Sequence, residues 1–197
     1  MDSIIANYRG LARKILEQPY HHKWSRQGLG MLRLYLSKEL RLHVWHGELI
    51  TPNVSMIHDH PWDFESTILA GQINNIRYVP SLEGNNYMFN RIICGEGGGL
   101  EPELPRQVVM AEQLTEHYSM GCRYAQKAKE IHKTTARNGT ITIIERKFYE
   151  DTEHAHVFWD GPGWVSAEPQ VANSIHVELA TKAALYVMDL EDAALKK

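Results

Sequence analysis

The sequence contains few cysteines, since only Cys94 and Cys122 occur among its 197 residues. A protein of this length that depended on disulfides would carry more of them, so a disulfide scaffold is excluded and both residues are expected to be free thiols. The chain also lacks any run of about eighteen apolar residues, and residues 1–5 lack the basic and then apolar character of a secretory leader. We therefore expect a cytoplasmic protein without a membrane span.

A large excess of charge of one sign is also missing, because 21 Lys and Arg residues stand against 24 Asp and Glu residues. Binding to nucleic acid or to an anionic membrane surface depends on a basic excess that the chain as a whole does not have. The charge balance therefore favours a small-molecule substrate as the partner, rather than nucleic acid or a membrane.

Helical periodicity occurs near both ends of the chain. Asp2 or Ser3 can cap a helix in which apolar residues recur at helical spacing until Pro19, which predicts a helix over about 3–17. The same periodicity predicts a second helix over about 173–193. One apolar stripe on each helix is suited to covering a β core, and the C-terminal stripe is equally suited to a homodimer interface.

The chain between the helices, from about residue 30 to about residue 164, has short runs rich in branched and aromatic residues, separated by Gly, Pro and Asn. Such runs indicate antiparallel strands, and several in succession favour a sandwich or a barrel. We expect one domain over 1–197 with an all-β core and a helix on either side of it.

Two histidines one residue apart, His58 and His60, lie between apolar runs in the segment 56–71. Side chains alternate between the faces of a strand, so both imidazoles project from the same face. Imidazole is a common ligand of zinc, iron, nickel and copper, and the carboxylate of Glu65 follows closely. The segment therefore predicts a metal site on a buried strand.

This segment resembles the first motif of the cupin superfamily, in which a His-x-His pair is followed by Glu and then Gly. The stretch from Gly121 to His132 is similar to the Gly-to-His spacing of the second cupin motif. The resemblance implies a cupin-like double-stranded β-helix, or jelly-roll barrel, and a metal held by His58, His60 and His132. The His-Asp-His start is similar to that of iron-dependent thiol dioxygenases, which bind metal through three histidines alone.

Several positions depart from the cupin motifs. Pro52 stands at the first Gly position, and Ala136 stands where the second motif has Asn. Counting back from Gly71 places Phe64, and not Glu65, at the carboxylate position of the first motif. Two alternatives therefore stay open: either Glu65 completes the metal site, or Phe64 faces the cavity and the histidines act alone.

Arg77 and Tyr78 lie on opposite faces of the strand that follows this motif. If Phe64 points inward, a tight turn between the strands places Arg77 on the cavity face, whereas an inward Glu65 places Arg77 outside. Both Arg77 and Tyr78 are therefore candidates for binding the substrate.

The dipeptide Asn138-Gly139 separates two strand-like runs and is the strongest short hairpin signal in the chain. A two-residue type I′ turn at this place fixes the register and pairs His132 with Glu145 on one face. A carboxylate beside a metal-bound histidine can orient the ring, bind the metal or act as a base. We therefore predict that Glu145 lies in the cavity and has a catalytic role.

Other histidines have simpler interpretations. His43 is interpreted as an ordinary strand histidine, and His46 has the opposite parity, so neither belongs to the predicted metal set. The second His-x-His pair, His154 and His156, follows an acidic stretch and is interpreted as exposed to solvent.

The resemblance implies a mononuclear non-haem iron dioxygenase acting on a small organic substrate, with Fe(II) as the favoured metal and Ni, Mn or Zn as alternatives. Two other classes stay open: a non-catalytic ligand-binding or structural cupin, and a cupin-type isomerase or epimerase. Carboxylates arranged for acid-base chemistry would favour an isomerase, and O₂-dependent turnover would favour the dioxygenase.

Overall fold

The helices near the two ends of the chain form where the periodicity predicts them. The computed structural model describes residues 2–26, 28–52, 54–93, 104–147, 154–161 and 170–196. Helix α1 spans Ser3–Glu17 and helix α2 spans Ser174–Ala194, with a 3₁₀ turn at Pro19–His21. Both predicted helices are confirmed to within one residue at each end. Neither helix combines the length and the apolar character that crossing a membrane requires.

Side-chain caps and a proline fix where the helices begin and end. Asp2 Oδ1 accepts a hydrogen bond from the backbone N–H of Ile4 at 3.0 Å, and Asn173 Oδ1 accepts one from the backbone N–H of His176 at 2.9 Å. These bonds satisfy donors that the first turn of a helix leaves unpaired. Helix α1 ends just before Pro19, whose ring disfavours helical geometry in the preceding residue.

Twelve strands in the described residues form two antiparallel sheets. The strands of sheet A are β1 Ser25–Arg26, β2 Leu29–Tyr35, β3 Leu40–Ile50, β5 Asp63–Ala70, β8 Arg123–Gln126, β10 Ile141–Lys147 and β12 Gln170–Val171. The strands of sheet B are β4 Ile57–His58, β6 Gln72–Ile93, β7 Arg106–Ser119, β9 Ile131–Ala136 and β11 His154–Trp159. Their orders are β12-β1-β2-β3-β10-β5-β8 and β11-β4-β9-β6-β7.

The fold is therefore mainly β and resembles a sandwich, with a helix near each end of the chain. The prediction of a β core with flanking helices is confirmed to this extent. The predicted end of the β core near residue 164 lies outside the described residues. One domain over 1–197 stays a prediction.

Sheet A lies between the helices and sheet B. On β3, Leu42 and Val44 belong to the core cluster that includes Leu16 of α1 and Ala184 of α2. The alternate residues of the same strand, among them His43, line a cavity on the opposite face. Because side chains alternate along a strand, one strand supplies both the helix-covered core and the cavity wall.

The turn at Asn138-Gly139 forms, but it does not make the predicted hairpin. The backbone N–H of Thr140 donates to the carbonyl of Arg137 at 3.1 Å, which closes a two-residue turn. A type I′ turn needs positive φ at both central residues, whereas here only Gly139, with φ of 83°, is positive. That pattern is typical of a type II turn, which splays the flanking strands.

The two strands that leave this turn enter different sheets. Strand β9 pairs with β4 and β6 in sheet B, and β10 pairs with β3 and β5 in sheet A. The turn is held by Trp45, whose carbonyl accepts from Gly139 N–H at 2.8 Å and whose N–H donates to Thr140 at 2.9 Å. The predicted pairing of His132 with Glu145 is therefore wrong.

Candidate metal centre

Three histidines meet at the inner face of sheet B. His58 on β4 and His132 on β9 are direct cross-strand partners, so their side chains emerge side by side. His60 follows two residues after His58 and points to the same side. The ring centroids are 4.7 Å apart for His58 and His60, 4.8 Å for His58 and His132, and 5.2 Å for His60 and His132.

The side chain of Asp59 points to the side opposite those of His58 and His60, and its contacts fix the directions of all three side chains. Its buried carboxylate accepts hydrogen bonds from the backbone N–H and the Nδ1–H of His156, both at 2.7 Å. The backbone N–H of Asp59 in turn donates to the carbonyl of His156 at 3.0 Å. Because Asp59 is tied to β11, the histidines on either side of it are directed into the space between the sheets.

The ring nitrogens form a compact group, and one pair of them has the separation that two ligands of a single metal ion have. One ligand atom from each of the three histidines lies within 4.8 Å of the others, and the Nε2 atoms of His60 and His132 are 3.1 Å apart. Two nitrogens bound to one metal at about 2.1 Å, with an angle of about 90–109°, are about 3.0–3.4 Å apart. In the described part of the chain, no other group of three or more candidate ligands occurs.

Hydrogen bonds from Nδ1–H leave Nε2 unprotonated on two of these rings. His58 donates Nδ1–H to the carbonyl of Met56 at 3.1 Å, and His132 donates Nδ1–H to Asn75 Oδ1 at 2.8 Å. An Nδ1–H tautomer carries its lone pair on Nε2, which is the atom that binds metal. Metal-bound histidines typically have such a partner on the second ring nitrogen, so the donor set fits a metal.

The orientation of Asn75 is itself fixed by its amide group. Asn75 Nδ2 donates to Glu116 Oε2 at 3.2 Å and to Gln126 Oε1 at 3.3 Å, so Oδ1 must face His132. Glu116 also accepts a hydrogen bond from Arg77 Nε at 2.7 Å. A connected set of polar side chains therefore holds one candidate ligand in one tautomer.

Burial keeps the three imidazoles neutral. It lowers the pKa of His58 from the ordinary value, and it lowers the pKa of His60 and His132 much further. The neighbouring rings lower the pKa of His60 in addition, because a charge on one disfavours a charge on the next. A neutral imidazole is the form that binds a metal.

The three rings open onto a small cavity between the sheets. Its volume is about 60 Å³, which corresponds to about four water molecules. Most of its wall is apolar or aromatic, and includes Met31, Met56, Phe64 and Ile144. A ligand that fits this space has only a few non-hydrogen atoms unless the wall moves.

The choice between Phe64 and Glu65 is decided by the faces of β5. Phe64 is buried, lines the cavity and lies with its ring centroid 5.1 Å from that of His60. The Glu65 side chain is 45% exposed and lies 3.6 Å from Arg123. Glu65 is therefore directed away from the histidines, and of the two alternatives the one with Phe64 facing the cavity is the one that forms.

Glu145 lies on the outer side of sheet A. It is exposed, pairs across the sheet with Leu40 and Glu65, and accepts a hydrogen bond from the Tyr8 hydroxyl at 2.6 Å. That hydrogen bond raises the pKa of Tyr8 to about 12. Its predicted place in the cavity is wrong, because the turn before β10 leads into the other sheet. Among the described residues, no carboxylate lines the cavity.

Arg77 and Tyr78 both lie away from the cavity wall. Arg77 is the cross-strand partner of His132, but its guanidinium forms ion pairs with Glu116 at 2.7 Å and Glu130 at 2.8 Å. Tyr78 belongs to a separate apolar cluster and donates its hydroxyl to Glu112 at 3.1 Å. A role for either residue in substrate binding stays a prediction without support from the cavity geometry.

Two residues of the site were missed by the sequence analysis. Asn75 carries no motif signal, since its partner His132 is 57 positions away. His43 was interpreted as an ordinary strand histidine, yet it lines the cavity beside Arg41 and Trp45. These three residues alternate along β3 and therefore share one face, and this was the sequence feature from which the cavity role of His43 could have been predicted.

Cys122 is a free thiol as predicted, and Cys94 lies outside the described residues.

Comparison with known proteins adds no family assignment. No protein-family model matches the chain, and no curated protein matches it significantly. The case for a metal centre therefore rests on the histidine geometry and on the two sequence motifs.

Proposed function

We propose that this chain is a cupin-type metal protein, in which the two sheets form a jelly roll around a mononuclear centre. His58, His60 and His132 are the ligands, and Fe(II) is the favoured ion, with Ni, Mn or Zn as alternatives. The observation that carries the proposal is the convergence of three neutral imidazoles on a cavity, two of them with Nε2 left free by a hydrogen bond at Nδ1.

The proposed activity is that of a dioxygenase acting on a small organic substrate. An iron centre with three neutral ligands would supply a redox-active Lewis acid with open positions on the cavity side. The residues of the chain hold the three rings in place, exclude water through the aromatic wall and limit the size of the substrate. Trp62 stacks on His60 with 5.7 Å between ring centroids, and Phe64 packs against the same ring.

The composition of the cavity wall favours an oxygenase over an isomerase. An isomerase that moves protons needs a positioned acid or base, and carboxylates are frequent in that role. The described wall contains no carboxylate, and its mainly apolar character provides a dry pocket for a small substrate. A protein that binds metal without turnover is the second candidate, and the same experiment separates the two.

The proposal is tested by loading the protein with Fe(II) under anaerobic conditions and adding nitric oxide as a surrogate for O₂. We expect the electron paramagnetic resonance signal of a high-spin iron–nitrosyl species in wild type and in the control His21→Ala, but not in His60→Ala. His21 is an exposed histidine outside the cavity wall. Oxygen uptake with a panel of small thiols, acids and alcohols then tests turnover. A nitrosyl signal without uptake supports the binding protein, and no signal in wild type contradicts the proposal.

The proposed substrate is a small molecule rather than nucleic acid or a membrane, as the charge balance favours.

We also propose a homodimer formed through the outer face of α2. There, Ile175, Leu179, Tyr186 and Leu190 recur at helical spacing and are exposed. Packing this stripe against a second copy removes it from water. Tyr186→Lys should therefore convert a dimer to a monomer in sedimentation equilibrium, and a wild-type monomer would contradict this proposal.

A further inference from the structure

His43 is a buried polar side chain in the cavity wall. It is 7% exposed, and its Nε2 has no hydrogen-bond partner in the described structure. It lies on β3 opposite Thr142 of β10, on the face that lines the cavity. Two polar side chains next to it satisfy each other, since Trp45 Nε1 donates to Thr142 Oγ1 at 3.2 Å. His43 therefore keeps a donor or acceptor that the neighbouring side chains do not use.

An unpaired buried imidazole costs stability. Leaving a buried polar group without a partner destabilises the folded protein, and an apolar residue of similar size would avoid that loss. Leu42 and Val44 show that β3 carries apolar residues on its other face without difficulty. A histidine at this place is therefore best explained by a ligand that completes its hydrogen bonding.

The surroundings of His43 favour an electron-rich partner. Arg41 lies two residues away on the same face and lines the same cavity. Burial, followed by the positive charges of Arg41, Arg33 and Arg146, lowers the pKa of His43 well below its ordinary value. A positive field around a neutral imidazole attracts an anionic or electron-rich atom, to which an Nε2–H can donate.

We propose that His43 is the ligand-binding residue of the cavity wall, and that its Nε2–H donates a hydrogen bond to the anionic or electron-rich end of a small bound molecule. The inference deepens the proposed function, because it assigns a second binding group in the cavity onto which the three histidines open. The cavity volume of about 60 Å³ limits that molecule to a few non-hydrogen atoms.

Azide, a linear anion of three atoms, is the probe for this inference. Calorimetric titration of wild type, His43→Leu and His43→Gln should show affinity about tenfold weaker for Leu, with Gln close to wild type because it keeps an N–H donor. His46→Leu is the matched control, since His46 is also a buried histidine of β3 but does not line the cavity. Its azide affinity should equal that of wild type.

The titration is made on protein as purified and again after metal has been removed with EDTA. A loss of affinity in His43→Leu that persists without metal supports His43 whether or not the metal proposal holds. Azide that binds only the metal-loaded protein, and binds His43→Leu as tightly as wild type, overturns the inference while leaving the metal centre intact. Failure of azide to bind wild type in either state also overturns it.

Two further measurements do not depend on the azide affinity of a variant. Without ligand, His43→Leu should melt about 2–4 °C higher than wild type, because the unpaired buried group is gone. In wild type, the ¹⁵N resonance of the His43 ring should shift saturably with azide. A lower melting temperature together with an unmoved resonance would show that His43 is a structural residue.

Discussion

At the residue scale, the orientation of His132 depends on one side chain, Asn75. Asn75 is fully buried and accepts the Nδ1–H of His132 at 2.8 Å. Without that acceptor, the Nδ1–H tautomer, whose Nε2 lone pair binds metal, loses its advantage over the Nε2–H tautomer. The role of Asn75 is therefore to position a ligand rather than to react.

Replacing Asn75 by Leu should weaken Zn(II) binding about 10–100-fold, the range typical of lost partners of metal-bound histidines. Asn74→Leu, at the exposed neighbouring position, is the control. Competition with a chromophoric chelator measures the affinities, and equal affinity in wild type and Asn75→Leu would show that the hydrogen bond has no such role.

Glu145→Gln tests the corrected position of Glu145. Because this side chain lies outside the cavity and accepts from Tyr8, metal content and turnover should equal those of wild type, while the pKa of Tyr8 should fall from about 12 towards 10.0. The phenolate absorbance, as the difference between wild type and variant, measures that fall. A loss of metal or activity would place Glu145 in the site after all.

The raised pKa of Tyr8 also gives the sign of a pH effect. Tyr8 binds its proton more tightly in the folded than in the unfolded chain, so its contribution to stability is complete below about pH 10. It is lost as the pH rises from about 10 to about 12. In Glu145→Gln, that loss of stability should be smaller.

The residues of the site could be predicted where their spacing in the sequence indicated them. They could not be predicted where contacts with distant parts of the chain determine the position of a side chain. His58 and His60 follow from the alternation of a strand, and His132 from its motif spacing. Glu145 was misplaced because the turn type at Asn138-Gly139 depends on contacts that the local sequence does not contain. A Cβ at Gly139 would lie 2.5 Å from the carbonyl oxygen of Ala183 in α2, so the helix takes part in shaping the turn.

At the element scale, the turn between β9 and β10 transfers the chain from one sheet to the other. Gly139 satisfies two requirements there, a φ of 83° and close contact with α2. Gly121 has a φ of 89° but has nothing within 4 Å of the place where a Cβ would stand. A side chain at Gly121 would therefore cause backbone strain alone, whereas one at Gly139 would cause backbone strain and a steric clash with α2.

Gly121→Ala should lower the free energy of unfolding by about 1–2 kcal/mol, the strain of a left-handed residue with a side chain. Gly139→Ala should lower it by about 2–5 kcal/mol, because overpacking against α2 is added to the same strain. Urea unfolding of both variants measures the difference. Equal losses would show that α2 moves aside freely and does not shape the turn.

The elements differed in how far the sequence predicted them. Both helices were predicted closely because their caps and periodic stripes are local features. Most strands were recognisable from their composition, but strand pairing was not, since β10 has partners far away in the chain on either side. The alternation of apolar residues along a strand indicates which of its faces is buried, but it does not indicate which strand lies beside it in the sheet.

At the scale of the whole molecule, the two helices cover one face of sheet A, and the opposite face of that sheet forms one wall of the cavity. Sheet B supplies His58 and His132, the segment that follows β4 supplies His60, and sheet A supplies His43 and Phe64. The sequence predicted a β core with helices and a three-histidine site. It did not predict that the second wall carries a histidine of its own, because facing residues of two sheets have no local relation in the chain.

The most direct measurement of the central claim is the metal content of protein purified without added metal, determined by inductively coupled plasma mass spectrometry. Wild type and the control His21→Ala, at an exposed position outside the cavity wall, should contain close to one divalent metal ion per chain. His60→Ala should contain little metal while its circular dichroism spectrum stays that of the folded protein. Metal content that is unchanged in His60→Ala, or absent from wild type even after incubation with Fe(II), would contradict a metal centre formed by the three histidines.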